Sequence, residues 1–129
     1  MIYILLNLGA IAAATLAGLI IGVAFLRLGS VRARPGVRLL LVAIVMEFWL
    51  ASILAGALIL APPKGGEWTM AIGSAFVIWI GFVLPVLAVG HTARGQGARV
   101  VVADAAHWLA VMLAQAVVLK LIGLVPPPA

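Results

Sequence analysis

A single carboxylate stands in the middle of a long apolar segment of this sequence. The segment covers residues 39–60, and Glu47 is its only ionisable residue. A charged side chain deep in a segment of membrane-spanning length is costly unless it is paired or protonated, so Glu47 is a functional candidate. A later apolar segment carries Asp104, His107 and Trp108, which helical spacing places within about 100° of arc.

Glu47 and His107 match in depth. At about 1.5 Å per helical residue, both lie nearly equally far from the arginine-rich loops that precede their segments. We therefore predict a ligand- or proton-binding site at Glu47 and His107. Asp104 would bond the other ring nitrogen of His107 or meet a nearby arginine, and Trp108 would wall a cavity or simply pack. The alternative is a buried hydrogen-bond clamp between two helices.

Other polar residues receive structural predictions. Asn7 and Gln115 lie at similar depth near the opposite surface, which predicts an interhelical amide pair. His91 is assigned to a helix C-terminus. The unmatched spacing of the two histidines and the carboxylate gives no metal site, and no cofactor motif is present. Since GxSxG, P-loop, Rossmann and HExxH patterns are also missing, we predict no enzyme and no catalytic residues.

The composition identifies the solvent that surrounds these elements. Of 129 residues, 67% are hydrophobic and 9% are charged, which no soluble domain of this size could bury. The sequence predicts an all-α integral membrane protein, a four-helix transmembrane bundle with short loops, in one domain over residues 1–129. The predicted spans cover about residues 2–26, 37–61, 68–90 and 100–125.

The arginines indicate the orientation. The first loop holds the largest group, and the third loop adds Arg94 and Arg99, so these loops are predicted to face the cytoplasm. Both termini then lie outside, in the periplasm, and the protein lies in a bacterial inner membrane. We expect the first-loop arginines to contact anionic lipid headgroups. In a membrane protein the charge of +5 concerns topology and anionic lipid before nucleic acid, so we predict no nucleic-acid partner. These arginines are Arg27, Arg32, Arg34 and Arg38.

Small residues predict the helix contacts, because packing rather than hydrophobicity associates helices in lipid. Gly18 and Gly22 form a GxxxG pattern in the first span, and Gly73 and Gly81 line one side of the third. The second span has two such faces, and the third keeps an aromatic side. These spare faces favour a homo-oligomer, most simply a dimer, unless the aromatic side only faces lipid.

The second half of the chain resembles a known family. The segments IWIGFVLP (residues 78–85) and AAHWLAVML (residues 105–113) are similar to a bacterial four-span inner-membrane family known as domain of unknown function 1761. That resemblance implies the same fold and supplies no activity. The general plan is also similar to small multidrug-resistance exporters, whose essential glutamate lies in the first span rather than the second.

Three functional hypotheses follow. The leading one is a small membrane protein, as a homodimer, with a polar intramembrane site that binds a small ligand or proton. The second is a structural or accessory subunit of a larger membrane complex, and the third is a proton-coupled exporter. A ligand site predicts a cavity beside Glu47, whereas an accessory role predicts a packed, dry core.

Overall fold

The computed structural model describes residues 1–28 and 36–129, and four of its helices are long and apolar enough to cross a membrane. This confirms the all-α fold with four membrane-length helices. The α-helices are α1 (Ile2–Leu6), α2 (Leu8–Leu28), α3 (Val37–Leu60), α4 (Glu67–Ile78), α5 (Leu84–Ala93) and α6 (Ala98–Ile122).

The first span is broken near its start, whereas the sequence predicted one continuous helix. Asn7 separates α1 from α2, with φ −114° and ψ 19°. Its side-chain Nδ2 donates to the Tyr3 carbonyl at 2.8 Å. Asparagine favours such a break because its amide competes with the backbone for hydrogen bonds.

The third span is one apolar stretch, Glu67–Ala93, with a widened turn in its middle. Trp79–Val83 forms a π-helical turn between α4 and α5, and the Leu84 N–H donates to the Trp79 carbonyl five residues back. Pro85 explains the turn, because proline has no N–H to donate to the carbonyl four residues earlier. The chain accommodates this loss by widening one turn.

Helix α6 is the centre of the bundle. It packs against α2, α3, α4 and α5, while α2 packs against α3 and α6. Among the described residues, α2 does not contact α4, so the first and third spans lie on different sides of α6. The buried apolar core contains Ala10, Ile11, Ala14, Ala51, Leu54, Ala55, Ala75, Met112, Ala116 and Leu119.

The two ends of the bundle differ. We call one the arginine end, because its exposed side chains include Arg27, Arg38, Arg94 and Arg99. We call the other the terminal end, because both chain termini lie there. The predicted lipid contacts of Arg32 and Arg34 lie outside the described residues.

The C-terminal segment closes the terminal end. Helix α6 ends at Ile122 rather than near residue 125, because Gly123 has a φ of +87° that a helix cannot continue. The Val125 N–H then donates to Asn7 Oδ1 at 2.7 Å, and Asn7 Nδ2 donates to the Val125 carbonyl at 2.8 Å. This reciprocal pair ties the chain end to the break in the first span.

Two predicted helix faces require correction. On α3, helical spacing predicts a second packing face formed by Trp49, Ser52 and Gly56. Ser52 is buried and Gly56 lies against the Tyr3 ring, so only Trp49 points outward, at 51% exposure. In the third span, Gly73 and Gly81 have no atom of another helix within 4 Å of an added Cβ.

The opposite side of the third span packs inward. Ala71 and Ala75 are buried, and Trp79 Nε1 donates to the Ala105 carbonyl at 2.8 Å. A tryptophan N–H needs a partner when it is buried, and α6 offers a carbonyl at this level. The alanine pair, four residues apart, is the small-residue pattern that marks this contact.

Candidate functional site

Glu47 lies inside the bundle, directly against the backbone of α2. Its residue is 4% exposed, as the apolar segment around it predicted. A Cβ added to Gly18 would lie 1.9 Å from Glu47 Oε2, so only glycine at this position leaves room for the carboxyl group. The GxxxG pattern of the first span therefore admits a polar side chain here.

His107 lies at the same level on α6. A Cβ added to Gly22 would lie 3.6 Å from His107 Nε2 and 3.7 Å from Glu47 Oε1. The imidazole and the carboxyl group thus lie beside the same glycine, and the structure records no hydrogen bond between them within its described residues. Phe25 and Trp108 lie beside the imidazole, with ring centroids 5.0 and 5.2 Å away.

Gln115 also lies beside Glu47, about two helical turns beyond His107 toward the terminal end. Its Nε2 donates to the backbone carbonyl of Glu47 at 3.4 Å and would lie 2.9 Å from a Cβ on Gly18. Gln115 is fully buried. We call Glu47, His107 and Gln115 the polar cluster.

The polar cluster contains buried atoms that lack partners. Among the described residues, Glu47 Oε2, His107 Nε2 and Gln115 Oε1 are buried without a hydrogen bond. Other buried polar side chains differ, since Thr15 Oγ1 donates to the Ile11 carbonyl and Ser52 Oγ to the Phe48 carbonyl, both at 2.8 Å. Unpaired buried polar groups are uncommon and costly, so the cluster has bonding capacity for a proton or a small polar ligand.

Asp104 has a different partner from the one predicted. Its Oδ2 lies 2.7 Å from His91 Nε2 rather than on the ring of His107 or on an arginine. The other ring nitrogen of His91 contacts Gln96 Oε1. The two ring nitrogens of His91 therefore lie beside the side chains of Asp104 and Gln96.

The predicted pair of Asn7 and Gln115 is also not formed. Asn7 bonds Tyr3 and Val125, whereas Gln115 bonds the Glu47 backbone. The break at Asn7 turns its amide toward the chain terminus, which depth counting along a continuous helix could not show.

Two further residues lie at or beside the site, although the sequence analysis assigns them other roles. His91 was assigned to a helix end, and Gln115 to an amide pair. The pairing of His91 with Asp104 had a signal, because α5 and α6 flank a short loop and residues at similar distances from it face each other. For Gln115 the signal was helical spacing, which places it within about 100° of arc with Asp104 and His107.

Two hollows of the bundle lie away from the polar cluster. A cavity of about 390 Å³ at the terminal end is lined by residues that include Pro63, Glu67 and Lys120. An apolar groove of about 790 Å³ between α2 and α3 is lined by residues that include Thr15 and Trp49. Neither is lined by Glu47 or His107, so neither is the ligand cavity that the sequence predicted.

Among the described residues, no group of three histidine or carboxylate side chains could hold a metal ion. Comparison with protein-family models, curated proteins and solved structures finds no match for this chain. The likeness of the second half to the four-span family stays a prediction, and the function is argued from the site itself.

Proposed function

We propose that the chain is a multi-pass protein of the bacterial inner membrane that binds a proton, or a polar ligand no larger than a water, at the polar cluster. One observation carries this proposal: the carboxyl group of Glu47 is buried against Gly18 with Oε2 unpaired. A carboxylate in that position is unfavourable, and a bound proton or small polar ligand removes the cost.

The clamp hypothesis receives less support from these contacts. A clamp requires the Glu47 side chain to bond another helix, yet the contact between α3 and α6 uses the Glu47 backbone carbonyl. The side chain could be shortened or neutralised without breaking that bond. The tight packing at Gly18 also leaves no space for an organic cation, which argues against a drug-exporting site here.

Infrared spectroscopy of the protein in nanodiscs tests this proposal. The chain has only three acidic side chains, so the carboxyl stretching bands can be assigned by single substitutions. We expect a protonated-carboxyl band that changes with pH, disappears in Glu47→Gln and persists in Glu67→Gln. Glu67 is the matched control because it lies at the surface of the terminal end.

Two results would contradict the proposal. In one, the Glu47 band is constant over the whole pH range in which the fold survives. In the other, Glu47→Gln lowers the free energy of unfolding as strongly as the loss of a core leucine, which would identify a clamp. Thermal unfolding of the wild type and Glu47→Gln in the same nanodiscs separates these results.

A homodimer is the second candidate, and the outer face of the third span favours it. Gly81 is exposed, Gly73 is half-buried, and Phe82 beside them is 71% exposed. Glycines on a lipid-facing side permit the close backbone approach that associates helices in membranes. An accessory role in a larger membrane complex would use the same face.

Native mass spectrometry from nanodiscs distinguishes these assemblies. A dimer that Gly81→Leu converts to monomer, while Val102→Leu leaves it intact, supports contact through this face. Val102 is a suitable control because it is 66% exposed and lies on α6, outside the third span. A wild-type protein that is monomeric at every protein-to-lipid ratio would contradict the homodimer.

A further inference from the structure

We infer that His91, Asp104 and His107 form a proton path that connects Glu47 to the arginine end only. This inference rests on the proposed function, because it supplies the route by which the polar cluster exchanges its proton. It assigns a role to two side chains outside the polar cluster, those of His91 and Asp104.

The first contact of the path is direct. His91 Nε2 and Asp104 Oδ2 are 2.7 Å apart, and the side chain of Asp104 is 47% exposed while that of His91 is 13% exposed. Asp104 lies near the start of α6, about 9 Å along the helix from the arginine end. The imidazole of His91, held beside Gln96 and Asp104, can exchange a proton with Asp104 at the entrance.

The second step runs along α6. Asp104 and His107 are three residues apart, so they are neighbours on one face with about 5–6 Å between Cβ atoms. That gap is one that a single bridging water can span. His107 then lies beside Gly22 together with Glu47. Imidazole suits this position because it can accept a proton on one nitrogen and release it from the other.

Each transfer moves one proton and no other group. His91 takes up a proton from water at the arginine end, and that N–H bond then breaks as an O–H bond forms on the carboxylate of Asp104. That proton passes to His107, and a proton on His107 passes to the carboxylate of Glu47. Return of the proton to water follows the same steps in reverse, so the path needs no oxidant, reductant or further reactant.

The surroundings of the path contain few other titratable groups. Helix α6 contributes Asp104 and His107, α5 contributes His91, and α2 presents Gly18 and Gly22 to Glu47. Among the described residues, the charged groups at the entrance are the four exposed arginines of the arginine end, and none of them bonds Glu47 Oε2. Glu67 and Lys120 are paired at the opposite end.

Beyond Gln115 the path stops. The terminal half of the bundle is filled by Ile11, Leu54 and Leu119, each with no exposed surface. Its buried polar side chains, those of Asn7, Thr15 and Ser52, already donate to backbone carbonyls. Among the described residues no titratable side chain is buried there. Protons therefore have a route to Glu47 from one end and a closed apolar layer at the other.

A one-sided pH step on sealed vesicles tests this inference. The chain has no cysteine, so a single cysteine in Lys64→Cys reports the orientation by labelling with a membrane-impermeant maleimide. We expect the infrared band of Glu47 to follow a pH step at the arginine end at once. After a step at the terminal end it should change only as fast as protons leak through the bilayer.

Substitutions at Asp104 identify the route. We expect Asp104→Asn to slow the response at the arginine end at least tenfold, and Asp104→Glu to restore most of the rate. The control Glu67→Gln should respond like the wild type. A purely structural Asp104 would not separate the asparagine and glutamate variants in rate while both stay folded.

The outcomes are distinguishable. An equal response from both ends, or a wild-type rate in Asp104→Asn, overturns the one-sided path while Glu47 still titrates. A Glu47 band that never changes, even after complete equilibration on both sides, overturns the proposed function and the path with it. A fast arginine-end response that Asp104→Asn slows supports both.

Discussion

The two halves of the bundle are built from the same four helices and differ in what they bury. Toward the arginine end, α2 presents Gly18 and Gly22 to the side chains of Glu47 and His107, and polar atoms stay unpaired. Toward the terminal end, alanines and large apolar side chains pack between the helices, and Leu54 there has no exposed surface. The bundle therefore separates stability from binding along its length.

This difference follows from how helices associate in lipid. Apolar residues gain little by leaving lipid, so the terminal half is stabilised by close packing and by the hydrogen bonds of Asn7 to the chain end. The polar half loses some of that packing because glycines make room for a carboxyl group. Such a local loss is typical of a functional site within an otherwise consistent fold.

The largest effect on stability is expected from Leu54→Ala in the terminal half. Leu54 has no exposed surface, and the cavity left by its side chain should lower the free energy of unfolding by about 2–3 kcal/mol. Unfolding by sodium dodecyl sulfate in mixed micelles measures this change. The Glu47 infrared band should stay as in the wild type.

Leu60→Ala is the matched control for that substitution, because Leu60 lies at the end of the same helix and is 85% exposed. It should leave the free energy of unfolding nearly unchanged. If both leucine variants were equally stable, the terminal half would not be the stabilising core. If Leu54→Ala abolished the Glu47 band in a folded protein, the separation of the two halves would be wrong.

We expect Gly18→Ala to have a smaller effect on stability and a large effect on proton binding by Glu47. The new methyl group would overlap Glu47 Oε2 and press on Gln115 Nε2, so both side chains must move. Overpacking costs about 1–3 kcal/mol, and the better helix propensity of alanine offsets up to about 1 kcal/mol of it. We expect the pH response of the Glu47 band to shift or disappear while the helix content is kept.

Gly22→Ala provides the contrast. An added methyl group there meets His107 Nε2 and Glu47 Oε1 at ordinary van der Waals distances. The variant should fold like the wild type and keep a titrating Glu47. Identical infrared titrations for the wild type and both alanine variants would show that the carboxyl group does not occupy the position against Gly18.

The sequence predicted much of this division and missed its details for physical reasons. Helical periodicity and depth placed Glu47 and His107 inward at one level, because both depend only on regular helix geometry. Counting regular helical turns fails where the backbone is irregular. The break at Asn7 and the π-helical turn before Pro85 change which side chains face the bundle.

The third span shows the second limit. Gly73 and Gly81 suggested the packed side, yet Trp79 packs inward with a hydrogen bond to the Ala105 carbonyl. A choice between two plausible helix faces depends on what the neighbouring helix offers, and α6 offers a carbonyl that only the tertiary structure positions. The partner of Asp104 was missed for a similar reason, since His91 belongs to another helix.

The smallest effect is expected at the surface of the terminal half, where Lys120 Nζ pairs with Glu67 Oε2. The Glu67 side chain is 78% exposed, and ion pairs in such positions contribute little because water and salt screen them. Lys120 also lies 6.0 Å from the centroid of the Trp68 ring, a contact that survives loss of the carboxylate. Glu67→Gln should therefore unfold at the wild-type detergent concentration at both low and high salt. A clear loss of stability at low salt that disappears at high salt would mean that this pair, and not only the apolar core, holds the terminal half together.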